Sequence, residues 1–162
     1  MLKYMSKTTL FLCAALAIAV VQPSFAGAPE RSSAISAKYF WARATAGGVP
    51  TVAVYGVLEN LTGNDDALES VSSEFSQMAQ IHRTTVSENG YMSMDEMPEV
   101  ELPNGHYVQL EPGDIHMMLM GVKRSLKAGD EIPLRLKFKN SPAIHVRAKV
   151  YPIGATWADI VK

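Results

Sequence analysis

Residues 132–138 read Ile132-Pro133-Leu134-Arg135-Leu136-Lys137-Phe138. Every second residue is apolar and those between are proline or charged, the pattern of a strand with one face on a core and the other in water. The stretch Ile144-His145-Val146-Arg147-Ala148-Lys149-Val150 repeats it. Working outward, residues 51–58 are apolar on both faces and read as a central strand, and residues 39–44, 67–72, 78–85 and 107–110 read as shorter strands. Turn signals separate them at Gly47-Gly48, Gly63-Asn64-Asp65-Asp66, Glu88-Asn89-Gly90, Pro103-Asn104-Gly105, Glu111-Pro112-Gly113-Asp114, Ala128-Gly129-Asp130 and Asn140-Ser141-Pro142. The rhythm of short strands and turns predicts an all-β chain folded as a β-sandwich or Greek-key barrel.

Residues 1–26 have the order of a secretory signal peptide. Lys3 and Lys7 give a positive start, an apolar run covers 10–21, and Ser24-Phe25-Ala26 supplies small residues for cleavage. That run is too short for a stable membrane anchor. Lipid attachment at Cys13 is disfavoured by the bulky Leu12 before it. Cleavage after Ala26 leaves 136 residues, enough for one domain with a core and too few for two. A flexible segment 27–37, a β-domain 38–153 and a short tail 154–162 are expected. Cys13 is the only cysteine, so the mature chain offers no disulfide and no thiolate. Removing Lys3 and Lys7 from 15 basic residues leaves 13 against 16 acids, a net charge of −3, which gives no reason to expect nucleic-acid binding.

The chemistry concentrates between residues 78 and 120, where all seven methionines of the mature chain fall. In His116-Met117-Met118-Leu119-Met120, alternation puts Met117 and Leu119 on a core face and His116, Met118 and Met120 on the other. Residues i and i+2 of a strand lie roughly 6.7 Å apart on one face, so His116 and Met118 can converge on one ion. His82 shares a face with Met78 and Gln80, and Met92 and Met94 share a face just after the Glu88-Asn89-Gly90 turn. Thioether and imidazole together suit Cu(I) and not magnesium or calcium, which take oxygen. Methionine is also a common core filler, so a metal-free packing role is the competing reading. His106, in a turn, and His145, between charged neighbours, read as solvated. Asp95, Glu96, Glu99 and Glu101 read as a solvated acidic loop beside Met94, the alternative being a local negative field that attracts cations or a basic partner protein.

These residues resemble the periplasmic copper chaperones called PCuAC, whose signature is a histidine, ten residues, a methionine, twenty-one residues and then H-x-M. Twenty-one residues separate Met94 from His116, and Met118 completes the pattern. Trp41-Ala42-Arg43-Ala44, Glu101-Leu102-Pro103, Leu110-Glu111-Pro112-Gly113 and Gly121-Val122-Lys123-Arg124 are also similar to the family, over most of residues 38–150. One departure stands out: eleven residues separate His82 from Met94, and nine separate it from Met92. An extra residue in the 87–90 turn absorbs the difference; otherwise Met92 substitutes for Met94. The tail 155–162 lacks the histidine- and methionine-rich extension that some members use for cupric ion.

The resemblance implies a cupredoxin-like Greek-key β-sandwich or barrel. It also implies a site for Cu(I) made of His82, Met94, His116 and Met118, and delivery of copper to an acceptor such as a cytochrome oxidase subunit or assembly factor. A periplasmic monomer without stable membrane insertion is the expectation. A blue-copper electron carrier needs a cysteine thiolate, which the mature chain lacks. An enzyme is not expected either: there is no G-x-S-x-G and no H-E-x-x-H. The remaining alternative is a metal-free β-sandwich scaffold or interaction module.

Overall fold

A computed structural model describes residues 34–45 and 50–162. Ten strands follow one another: β1 (Ile35–Arg43), β2 (Thr51–Asn60), β3 (Asp66–Ser72), β4 (Met78–Val86), β5 (Met92–Glu96), β6 (Val100–Leu102), β7 (Tyr107–Leu110), β8 (Ile115–Met120), β9 (Glu131–Phe138) and β10 (Ile144–Tyr151), with one helical turn, α1 (Trp157–Ile160), after them. Strands run in the order β5-β4-β8-β2-β1-β10-β9-β3-β6, and β7 also pairs with β2. Among the described residues only β1 and β10 pair parallel; the other ladders are antiparallel. Because β3 also lies against β4, the sheet curls round and closes its apolar face into a sandwich. The fold class is the all-β one that the alternation predicted.

The strand β9 shows how the sequence achieves this. Its odd-numbered positions are exposed and its even-numbered ones, Ile132, Leu134, Leu136 and Phe138, are buried. Pro133 cannot donate to a ladder, and it sits beyond Arg135, where pairing with β3 has ended and β10 is the remaining partner. Trp41, Tyr55 and Ala155 form a second cluster outside this core, with Ala53, Tyr151, Trp157 and Ile160 packed on it. The chain after Gly154 therefore covers the outer face of β2, β1 and β10.

Three expectations need correction. Ile35 is a buried residue of β1, so the β-domain begins before residue 38 and the last residues of the segment 27–37 are strand. Asp95 and Glu96 belong to β5 and Glu101 to β6; they are exposed as expected, but they are strand and not loop. The strand β6 was not anticipated, being three residues long. The expected signal, residues 1–26, lies outside the described residues. No helix among the described residues is long and apolar enough to cross a membrane.

Candidate metal centre

Pairing of β4 with β8 decides where the soft side chains meet. His82 lies directly across from His116, Gln80 from Met118 and Met78 from Met120. Cross-strand partners share a face. That face is the outer one, because Ile81, Met117 and Leu119, which alternate with them, are core residues. On its other side β4 pairs with β5, so that Glu96 lies across from His82, Met94 from Thr84 and Met92 from Val86.

His82 is consequently the hub of the constellation. His116 is its direct neighbour on β8, while Met118 on β8 and Met94 on β5 are diagonal neighbours, each roughly 7–8 Å away at Cα. Met92 is one step further out along β5. A loop from Ser87 to Tyr91 closes the hairpin between β4 and β5, where the Ser87 N–H donates to Tyr91 O at 2.9 Å, the Gly90 N–H donates to Ser87 O at 2.8 Å, and Gly90 adopts φ 79°. These elements meet across an outer sheet face near its β5 edge.

The two imidazoles stand 6.1 Å apart at their centroids with their planes at 78°. One ion held by two imidazoles at about 2.0–2.1 Å per bond puts the ring centres roughly 5–6 Å apart, so the pair is already near chelating separation. Hydrogen bonds fix which nitrogens are free. The His116 Nδ1–H donates to Asp114 O at 2.9 Å, leaving the Nε2 lone pair available. That carbonyl also accepts the Thr84 N–H at 3.2 Å and is thereby held in place. The His82 Nε2–H donates to Gln80 Oε1 at 3.2 Å, so Nδ1 keeps its lone pair, and Nδ1 is buried without a partner. A carbonyl that orients a ligating histidine is the usual second-layer support of a metal site.

Burial grades across the site. His116 is only 4% exposed and packs on the Tyr55 ring at 6.3 Å, with Trp41 stacked behind Tyr55 at 4.7 Å. Burial pushes the Tyr55 phenol up, with Arg43 opposing, so the ring behind His116 is neutral. His82 and Met118 are half-buried, and Met94 is 54% exposed on the projecting hairpin. The donor set fits a soft cation. Among the described residues no group of three or more His, Cys, Asp or Glu side chains converges, so a hard cation has no oxygen cage, and thioethers must complete any site here.

His106 and His145 are exposed and far from this face in register. The sequence reading did not single out Tyr55, and it took Glu96 only as one member of the acidic stretch beside Met94. Tyr55 gave only a strand signal, and Glu96 faces His82 through a hairpin register that alternation does not fix.

Residues 35–150 match the sequence family described as "Putative lipoprotein LpqE-like". A relative of the same description, "Putative lipoprotein Lxx21020" of Leifsonia xyli subsp. xyli, is 28% identical over 157 residues, 90% of this chain and 93% of that protein. Among solved structures, the copper-bound PCuAC domain from PmoF2 superposes with a TM-score of 0.61 at 21% identity, covering 73% of this chain and 92% of that one. Apo-DR1885 from Deinococcus radiodurans superposes with a TM-score of 0.57 at 23% identity, covering 90% and 97%. The Cu(I) form of DR1885 gives 0.58 at 24%, covering 74% and 81%. The fold of PCuAC domains is therefore the fold of this chain.

Proposed function

The chain belongs to the LpqE-like family, and from that premise we propose that it is an exported Cu(I)-binding protein that carries the ion and passes it to an acceptor. His82, His116 and Met118, with Met94 from the hairpin, would hold the cargo. The observation that carries this reading is the cross-strand pair His82 and His116. Both present an imidazole nitrogen with a free lone pair, and both stand within one diagonal step of a thioether. The copper-bound PmoF2 domain and Cu(I)-DR1885 share the fold and support the choice of metal. The site works without thiolate, which suits an oxidising compartment such as the periplasm. It lies on an open face, so an acceptor's ligands can approach as these leave. A cytochrome oxidase copper centre, or a protein that assembles one, is the acceptor we favour.

Titration of the mature protein with Cu(I) against a chromophoric chelator tests the proposal. One tight equivalent with sulfur and nitrogen neighbours in X-ray absorption is expected; neighbours of oxygen and nitrogen alone, or no binding, would overturn it and favour a metal-free scaffold. Export is tested by mass spectrometry of protein from the producing cell. We expect a mature chain starting at Gly27; an N-terminus at a lipidated Cys13, as the family's lipoprotein description suggests, would refute cleavage after Ala26.

A further inference from the structure

Five of the seven methionines after residue 26 lie on the outer face of β5, β4 and β8: Met92, Met94, Met78, Met118 and Met120. The centre described above uses two of them. Met78 and Met120 stand directly across from each other, one pair beyond Gln80 and Met118. Neither belongs to the core: Met78 is 52% exposed and Met120 is half-buried, on the face opposite Met117 and Leu119. Burial gives Met78 little, since more than half of its surface is in water, and Met120 is only part-buried, on the outer face and outside the core. On β2 their neighbours are small, Thr51 across from Met120 and Ala53 across from Met118, which leaves the sulfur atoms room to turn.

We propose that Met78, Met120 and Met118 form a second, thioether-only Cu(I) site that shares Met118 with the histidine centre. The inference rests on the copper-binding reading of that centre and extends it. Cross-strand Cβ atoms lie roughly 4.5–5.5 Å apart, and two thioethers on one ion at about 2.3 Å per bond have sulfur atoms no more than ~4.6 Å apart. The flexible methionine side chain covers that difference. Met118 and Met120, at i and i+2, bring the third sulfur to the same face. Transfer between the sites is ligand exchange with no change of oxidation state. The bonds to His82, His116 and Met94 break as those to Met78 and Met120 form, Met118 stays bound, and the imidazoles recover their free lone pairs. The ion thereby moves away from the buried His116 to a pair of which Met78 is more than half exposed.

Cu(I) titration of the mature protein under reducing, anaerobic conditions tests this. The parent should bind a second equivalent at least tenfold more weakly than the first, and X-ray absorption should show that the second equivalent adds sulfur neighbours only. The exchanges Met78→Leu and Met120→Leu conserve volume, so folding is kept. Each should remove the second equivalent and leave the first within about threefold of the parent. If the parent binds one equivalent only, or if the second survives in the double variant, the methionine site is refuted while the histidine centre stands. If no equivalent binds, both readings fall together.

Discussion

Two adjacent residues of β8 separate ligation from packing. Met118 points outward, half-buried between Gln80 and Ala53, and Met117 points inward, fully buried between Ile81 and Val54. Replacing Met118 by Leu keeps volume and apolarity and removes only the sulfur. It should cost under roughly 1.5 kcal/mol of stability, toward the low end because the side chain is only part-buried and lies outside the core. Its effect on Cu(I) should exceed the 10–100-fold that loss of a merely supporting group causes, so about 100-fold or more is expected, equal to at least ~2.7 kcal/mol. Met117→Ala should do the reverse. It opens a cavity in the core at a cost of about 2–5 kcal/mol, and the melting temperature should fall by roughly 3–5 °C for each kcal/mol in a chain of this size. At a temperature where it is folded, it should bind Cu(I) like the parent. Thermal melts and chelator competition on both variants measure the two effects separately. Binding by Met118→Leu within threefold of the parent would remove that sulfur from the donor set. Loss of Cu(I) by folded Met117→Ala would mean that the two faces are not independent.

Met94→Leu should weaken Cu(I) binding more than Met92→Leu, because Met94 is one diagonal step from His82 and Met92 two; the opposite ranking in the same competition assay would show that the hairpin slides by two residues when the ion binds. Coordination requires neutral imidazole while thioethers do not titrate, so affinity should fall between pH 7.5 and pH 5, measured with a competitor corrected for its own protonation; a flat profile would count against both histidines. Asp66 concerns stability. Burial alone would raise its carboxyl, but hydrogen bonds from Ser141, Asn140 and Ala67 outweigh burial and hold it below the ordinary carboxylate range. Its contribution is therefore complete above about pH 4, the unfolded value, and is lost as pH falls through the lower folded value. Asp66→Asn should cost about 1–3 kcal/mol at pH 7, since an amide nitrogen would face the backbone donors, and the gap to the parent should narrow below about pH 4 in urea melts. A gap independent of pH would exclude the linkage.

Alternation made the faces of this chain readable and left the neighbours unreadable. Met117 and Leu119 were assigned inward and His116, Met118 and Met120 outward from β8 alone, as the structure has them. That His82 faces His116 depends on β4 pairing with β8 across more than thirty residues, and no local pattern encodes a pairing at that distance. The parallel contact of β1 with β10 is hidden for the same reason. The strand β6 escaped because three residues give no period to count, and the end of β5 because Asp95 and Glu96 carry charges that strands usually avoid. The projecting hairpin resolves that conflict: β5 has only β4 beside it and both of its faces are exposed, so charge there costs no burial.

The division of labour between the faces would allow a chain of this size to devote soft side chains to the proposed ion. Stability comes from the inner face, where the alternating apolar residues of β9, β10, β2 and β8 close on one another, and from the C-terminal segment over Trp41 and Tyr55. The outer face of β4, β5 and β8 is left free of that duty. Within it, the donors differ in how firmly the fold holds them. His116 is buried, tied to the Asp114 carbonyl and backed by Tyr55, whereas Met94 stands on a hairpin with more than half its surface in water. An incoming ligand meets the exposed thioether first and the anchored imidazole last. That order fits the proposed role of carrier, because an ion surrounded by four equally buried donors would be held well and released slowly, while one held by four exposed donors would not be retained at all.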